Sequence, residues 1–232
     1  MAQPKPQHPD TSSREEYYES ARGLQNLVSW YNVDKEKSFI DFIFNRLQIP
    51  HDGLVVEIGG GAAVHGRILA TRFGTRYLFT DLSQNFVAFA RGLGLAAEQM
   101  DGLSMPLPDE SAACTVLVAT STLVHDRPTR ERQFRECARV LRSDGVGVFV
   151  TARRDRRYHC WDDDDLEFLR QLGLSLIWLR GWGIVPGRLW TAKNRQLLDA
   201  IETIAAKTSL PARYILCTRR LPDQPAAVST LS

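Results

Sequence analysis

Apolar and polar positions follow two rhythms along this chain. Within 14–48, apolar residues (Tyr17, Leu24, Leu27, Val28, Phe39, Ile40, Ile43, Leu47) recur at helical spacing and predict helices. From residue 54 onward, short apolar runs take turns with amphipathic stretches. The runs predict strands at 54–58, 77–80, 96–99, 115–119 and 146–151, and the stretches between them predict helices ending near 73, at 84–91 and at 129–141. Ser143-Asp144-Gly145 reads as the stop of the last of these helices. Further on, 166–172 and 193–206 read as helices, and 174–179 and 213–218 as strands. Strand and helix alternating in this way predict a doubly wound, mostly parallel α/β sheet. Residues 1–13 and 222–232 carry prolines and polar residues without apolar periodicity, so they are expected to be flexible tails around one domain, 14–221.

Composition bounds this picture. A chain of 232 residues with 44% hydrophobic and 24% charged content suits one α/β domain with a substantial core. A formal net charge of +2 gives no electrostatic reason to expect nucleic acid as a partner. No apolar run approaches the roughly 20 residues of a membrane span. The first thirteen residues lack the apolar segment of a signal peptide. The four cysteines (Cys114, Cys137, Cys160, Cys217) are scattered without a CxxC pair, so the expectation is a cytoplasmic protein with reduced thiols.

The most informative stretch is Leu54 to Gly66, LVVEIGGGAAVHG. A buried strand breaks into three glycines and is followed by a helix, so the backbone there must approach something closely. The dinucleotide fingerprint requires a glycine or alanine three residues after Gly61, where Val64 stands. The spacing Glu57, Gly59, Gly61, Ala63 instead resembles motif I of class I S-adenosylmethionine-dependent methyltransferases. That resemblance implies that Glu57, Gly59, Gly60, Gly61 and Ala63 lie beside the methionine part of the donor. Asp81 ends the second strand about 20 residues beyond the loop, where a carboxylate with two acceptor oxygens suits the ribose diol, and Leu82 follows it. Asp81 or Ser83 serving as a helix N-cap is the simpler alternative.

Gln99-Met100-Asp101-Gly102, followed by LSMPLPDES, resembles the segment after the third strand in the ubiquinone/menaquinone-type methyltransferases. It implies Asp101 facing the adenine amino group, Met100 packing on the ring and Gly102 in the same loop, with plain core packing as the alternative for Met100. Ala113 stands where that group usually has aspartate. After the fourth strand, Ala119 leads into Thr120–Asp126, the stretch that in this class lines the meeting point of donor and acceptor. It lacks the N-P-P-Y or D-P-P-Y set of nucleobase amino methyltransferases. Residues 138–145 match the family's turn into the fifth strand. The resemblance covers 54–151 and implies a Rossmann-like seven-stranded sheet with an antiparallel last strand, a helical cap at 14–48 and a variable acceptor or lid region at 152–212.

Methyl transfer from a sulfonium is an in-line displacement for which the protein supplies alignment and a dry site. An oxygen or carbon acceptor must also lose a proton, which makes His125 the candidate base and acceptor contact, with loop packing as its alternative. His65 opens the first helix, where it either touches the donor's carboxylate or caps. Tyr18 and Tyr31 are candidate acceptor contacts with core packing as the competing reading; Trp182 is another, with a membrane-surface contact or a second monomer packing there as its alternatives. Segment 152–165, ARRDRRYHCWDDDD, reads as a solvated loop whose aspartates charge the start of the next helix; a lid for a charged acceptor is the alternative. Adjacent aspartates on one helical turn point in different directions, so no metal is expected. The expected activity is therefore transfer of a methyl group from S-adenosyl-L-methionine to a small-molecule acceptor in secondary or cofactor metabolism, a hydroxyl being favoured and S-adenosyl-L-homocysteine being released. An NAD(P)-dependent oxidoreductase and a catalytically silent cofactor-binding or assembly protein are the rivals, and a homodimer is left open.

Overall fold

A computed structural model describes residues 32–49, 52–118, 126–152, 163–183, 185–186, 189–191, 193–205 and 213–221. Chain order is α1 (Val33–Phe44), β1 (Leu54–Ile58), α2 (Val64–Phe73), a 3-10 turn, β2 (Tyr77–Asp81), α3 (Gln84–Gly92), β3 (Ala97–Gln99) and β4 (Ala112–Val118). There follow α4 (Arg127–Val140), β5 (Leu141–Ala152), α5 (Asp163–Gln171), β6 (Leu174–Trp182), α6 (Arg195–Ala205) and β7 (Arg213–Arg220).

The seven strands form one sheet in the order β3-β2-β1-β4-β5-β7-β6. β1 to β5 pair in parallel, and β7 runs antiparallel between β5 and β6. The chain winds outward from β1 to β3, then returns and winds the other way from β4. The carboxyl ends of β1 and β4 therefore flank a topological switch point, the place where such sheets bind ligands.

Strand alternation sends side chains to two cores. Val55, Tyr77, Phe79, Val116 and Val148 meet α1, α2, α3 and α6 on one face. Val56, Ile58, Leu117, Phe149 and Leu216 meet α4 and α5 on the other. No helix among the described residues is long and apolar enough to cross a membrane. Cys114, Cys137 and Cys217 are buried and free, and burial raises the pKa of the Cys137 thiol to about 12.

Several expected boundaries shift. The fourth strand begins at Ala112 rather than at 115, because Ala112 already pairs with Leu54 and Leu141. The helix expected to stop at Ser143-Asp144-Gly145 ends at Val140. Leu141 pairs with Ala112 and Val146 with Cys114, so residues 142–145 bulge out, with Asp144 at φ 72. Ala113, where the family resemblance expects aspartate, is buried, and a Cβ on Gly53 would lie 2.1 Å from its own, so the two positions share one small space.

Residues 153–162 of the expected loop or lid lie outside the described residues, and the aspartates that open the next helix do more than charge its start. Asp163–Asp165 do open α5, but Asp165 is buried and pairs with the buried Arg130 of α4 at 2.8 Å. Asp164 pairs with Arg127 at 2.7 Å. The run thus pins α5 to α4.

Candidate active site

The end of β1 is tied to the end of β2 by backbone hydrogen bonds. The N–H groups of Gly59 and Gly60 donate to the Thr80 carbonyl at 2.9 and 3.1 Å. The Gly61 N–H donates to Asp81 Oδ2 at 2.8 Å, while Asp81 Oδ1 accepts the Ser83 N–H at 2.9 Å. Asp81, read from the sequence as the sugar ligand, is therefore also the bracket between the glycine loop and the start of α3. Ser83 is the N-cap, its hydroxyl accepting from the Phe86 N–H.

Two glycines are required for different reasons. A Cβ on Gly60 would lie 2.2 Å from Phe79 Cε2, so even a methyl group forces the loop away from β2. Gly61 has φ +53, a conformation that disfavours side chains, and open space beyond it. Gly60→Ala is expected to lower stability by roughly 1–3 kcal/mol through overpacking, and Gly61→Ala by only about 1 kcal/mol through backbone strain. Thermal melts of the two variants check the ranking; equal melting temperatures would contradict it.

Beyond Asp81 the mouth is partly apolar and partly polar. Leu82 is 65% exposed beside the loop. The Met100 N–H donates to the Asp81 carbonyl at 3.0 Å, and the Met100 side chain packs in the core with Ile58 and Leu78. Asp101 is exposed, its Oδ1 accepting the Leu103 N–H at 2.9 Å. At Gly102 a Cβ would lie 2.6 Å from Ile58 Cγ2.

The loop after β3 is held by residues the sequence did not single out. Gln133 Nε2 of α4 donates to the Gly102 carbonyl at 2.6 Å, and the Met105 N–H donates to Glu136 Oε1 at 2.6 Å. Arg139 donates to the Met105 and Leu107 carbonyls, both at 2.8 Å, and pairs with Asp109 at 2.6 Å. Only the helical face shared by Gln133, Glu136 and Arg139 offered a sequence signal.

Glu57 turns toward the face covered by α1 and α2 and is 1% exposed. Its Oε2 accepts the Tyr77 hydroxyl and lies 3.0 Å from where a Cβ on Gly66 would be. Burial raises its pKa from 4.5 to about 7, opposed by the nearby His65 and by the Tyr77 hydrogen bond. The carboxyl thus sits under the first turn of α2, against Gly66.

Behind the loop, α2 begins at Ala63, which has φ 55 and supplies no side-chain cap. An anionic group set against that helix start, with a sugar near Asp81 and a flat ring near Leu82, matches what these residues can hold. Trp182 lies at the same sheet edge but is 1% exposed, packed against Phe39, Phe42 and Trp190 at centroid distances of 5.9, 4.8 and 6.1 Å. Tyr18, Tyr31, Ala119 and His125 lie outside the described residues.

Residues 56–149 match a family model described as a methyltransferase domain. A SAM-dependent methyltransferase from Thermotoga maritima aligns with a TM-score of 0.61 at 15% identity, over 88% of this chain and 98% of its own. A methyltransferase solved with the Haloferax volcanii Trm112 activator gives 0.60 at 15%, over 81% and 91%. Geranyl diphosphate C-methyltransferase from Streptomyces coelicolor, in complex with Mg2+, geranyl diphosphate and S-adenosyl-L-homocysteine, gives 0.55 at 17%, over 80% and 79%. At these identities the likeness speaks for the fold. No curated sequence matches the chain.

Proposed function

We propose that this chain, whose residues 56–149 form a class I S-adenosylmethionine-dependent methyltransferase domain, transfers a methyl group to a small-molecule acceptor, a hydroxyl in preference to an amine or a carbon. One observation carries the reading. The Gly61 N–H and the Asp81 carboxylate meet at 2.8 Å on the carboxyl edge, so the bare loop and the acid form one continuous cradle.

In this reading Gly59, Gly60, Gly61 and Ala63 meet the amino-acid end of the donor, with Glu57 behind them under the first turn of α2. Asp81 takes the ribose hydroxyls, while Leu82, Met100, Asp101 and Gly102 form the adenine side. Ala119 and His125 follow β4 where donor and acceptor meet, and Tyr18 and Tyr31 belong to the acceptor side, whereas Trp182, 1% exposed, packs beneath it. The donor brings an activated methyl group, so the chain's residues have three tasks: aligning the acceptor, excluding water and accepting the acceptor's proton. His125 is assigned the proton.

Calorimetric titration with S-adenosyl-L-homocysteine tests the cradle, and incubation with methyl-labelled donor and a metabolite pool tests transfer. Folded protein that neither binds the product nor transfers label would sink the proposal. His125→Ala is expected to lower turnover and leave S-adenosyl-L-homocysteine affinity unchanged; undiminished turnover would make His125 a packing residue.

A further inference from the structure

His65 is the second residue of α2, an end that no side chain caps. Its imidazole is 5% exposed, with Nε2 2.7 Å from Glu36 Oε2 of α1, and Glu36 is 3% exposed. Phe39, three residues further along α1, sets its ring edge-on to the imidazole at 6.2 Å. The imidazole thus gives the buried Glu36 carboxyl its partner, and carboxylates are buried only with one.

The rest of α1 is tied to the far end of α2, where Arg72 pairs with Asp41 at 3.7 Å and donates to the Phe44 carbonyl at 3.0 Å, and to the segment from 185 to 195. Asn32 Nδ2 donates to the Trp190 carbonyl at 2.9 Å, and Lys35 Nζ donates to the Val185 carbonyl. Arg195 of α6 donates to Ser38 Oγ at 2.8 Å and pairs with Asp41 at 2.7 Å. Of these side-chain ties, Glu36–His65 alone reaches the first turn of α2; Arg72 lies in its last turn, and the others reach the segment from 185 to 195.

The geometry points to Glu36 as a positioning residue for the methyl donor: acting through His65, it holds the first turn of α2 where the backbone around Ala63 receives the donor's amino-acid end. Glu36 touches no part of the donor in this arrangement. Ala63 has a left-handed backbone and no side-chain cap, so the turn must be steadied from behind, and His65 is two residues away. This inference rests on the donor site proposed above.

The two sets of ties supply the control. Affinity for S-adenosyl-L-homocysteine and the melting temperature are measured on the full chain and on Glu36→Gln, Glu36→Asp and Arg195→Gln. Glu36→Gln is expected to bind about tenfold more weakly, and Glu36→Asp, which keeps the charge, to recover most of the loss. Arg195→Gln is expected to lower the melting temperature and leave affinity unchanged. Wild-type affinity in Glu36→Gln, or an equal loss in Arg195→Gln, overturns the inference. If Glu36→Gln does not fold, His65→Gln carries the same comparison with the same two outcomes. An unmutated chain that retains no S-adenosyl-L-homocysteine overturns the donor site itself, and this inference with it.

Discussion

Replacing Asp81 by alanine is expected to weaken S-adenosyl-L-homocysteine binding on the order of a hundredfold. A carboxylate has room for about four hydrogen bonds, and the Gly61 and Ser83 N–H groups each use one oxygen. The ribose diol would bond to the same two oxygens. Losing two hydrogen bonds to a charged group costs roughly 3 kcal/mol, about two factors of ten in affinity. The same change leaves two loop N–H groups without their acceptor, so the melting temperature falls as well. Asp81→Asn separates the effects, since an amide oxygen can still accept one of the loop N–H groups while the charge is lost. Calorimetry on the folded variants is the measurement, and unchanged affinity in Asp81→Ala would remove Asp81 from the donor site.

Most of the sheet is legible in the sequence because its signals are local. A run such as Leu54–Ile58 followed by three glycines needs no distant partner to read as a strand entering a tight turn. The Ser83 N-cap is equally local. Where reading from sequence falls short, the deciding partner is far along the chain. Asp165 looks like one of four helix-starting acids, and only Arg130, 35 residues earlier, turns it into a buried pair. Asp144-Gly145 has the chemistry of a helix stop. Pairing of Leu141 with Ala112 ends the helix earlier and makes those residues a bulge instead.

The candidate site divides along the same line. Backbone features are readable: that the chain breaks into a tight glycine turn after β1, and which acid closes β2. Side-chain direction is not. Nothing local says that Glu57 turns away from the mouth to meet Tyr77, or that His65 meets Glu36, 29 residues earlier. Nor does local pattern reveal that Trp182 packs under α1 with Phe39 and Phe42. Acceptor recognition depends on such distant meetings, and so it is the least legible part of the chain.

Those hidden contacts give the protein a pH dependence that Glu57→Gln should remove. Burial lifts the Glu57 carboxyl from 4.5 to about 7, while the Tyr77 hydroxyl against it is itself pushed up, by burial first and by Glu57 second. A carboxyl whose folded pKa exceeds its unfolded one binds more protons folded than unfolded between the two values. Stability is therefore full below about 4.5 and declines as pH rises to 7 and beyond, by roughly 3 kcal/mol in all. Glutamine has nearly the same shape and offers Tyr77 an oxygen acceptor, with no proton to lose. The variant is expected to match the wild type near pH 4.5 and to exceed its stability by up to about 3 kcal/mol at pH 8. Urea unfolding of both proteins at the two pH values measures the difference. Parallel pH profiles would mean that burial does not lift the Glu57 carboxyl in the folded protein.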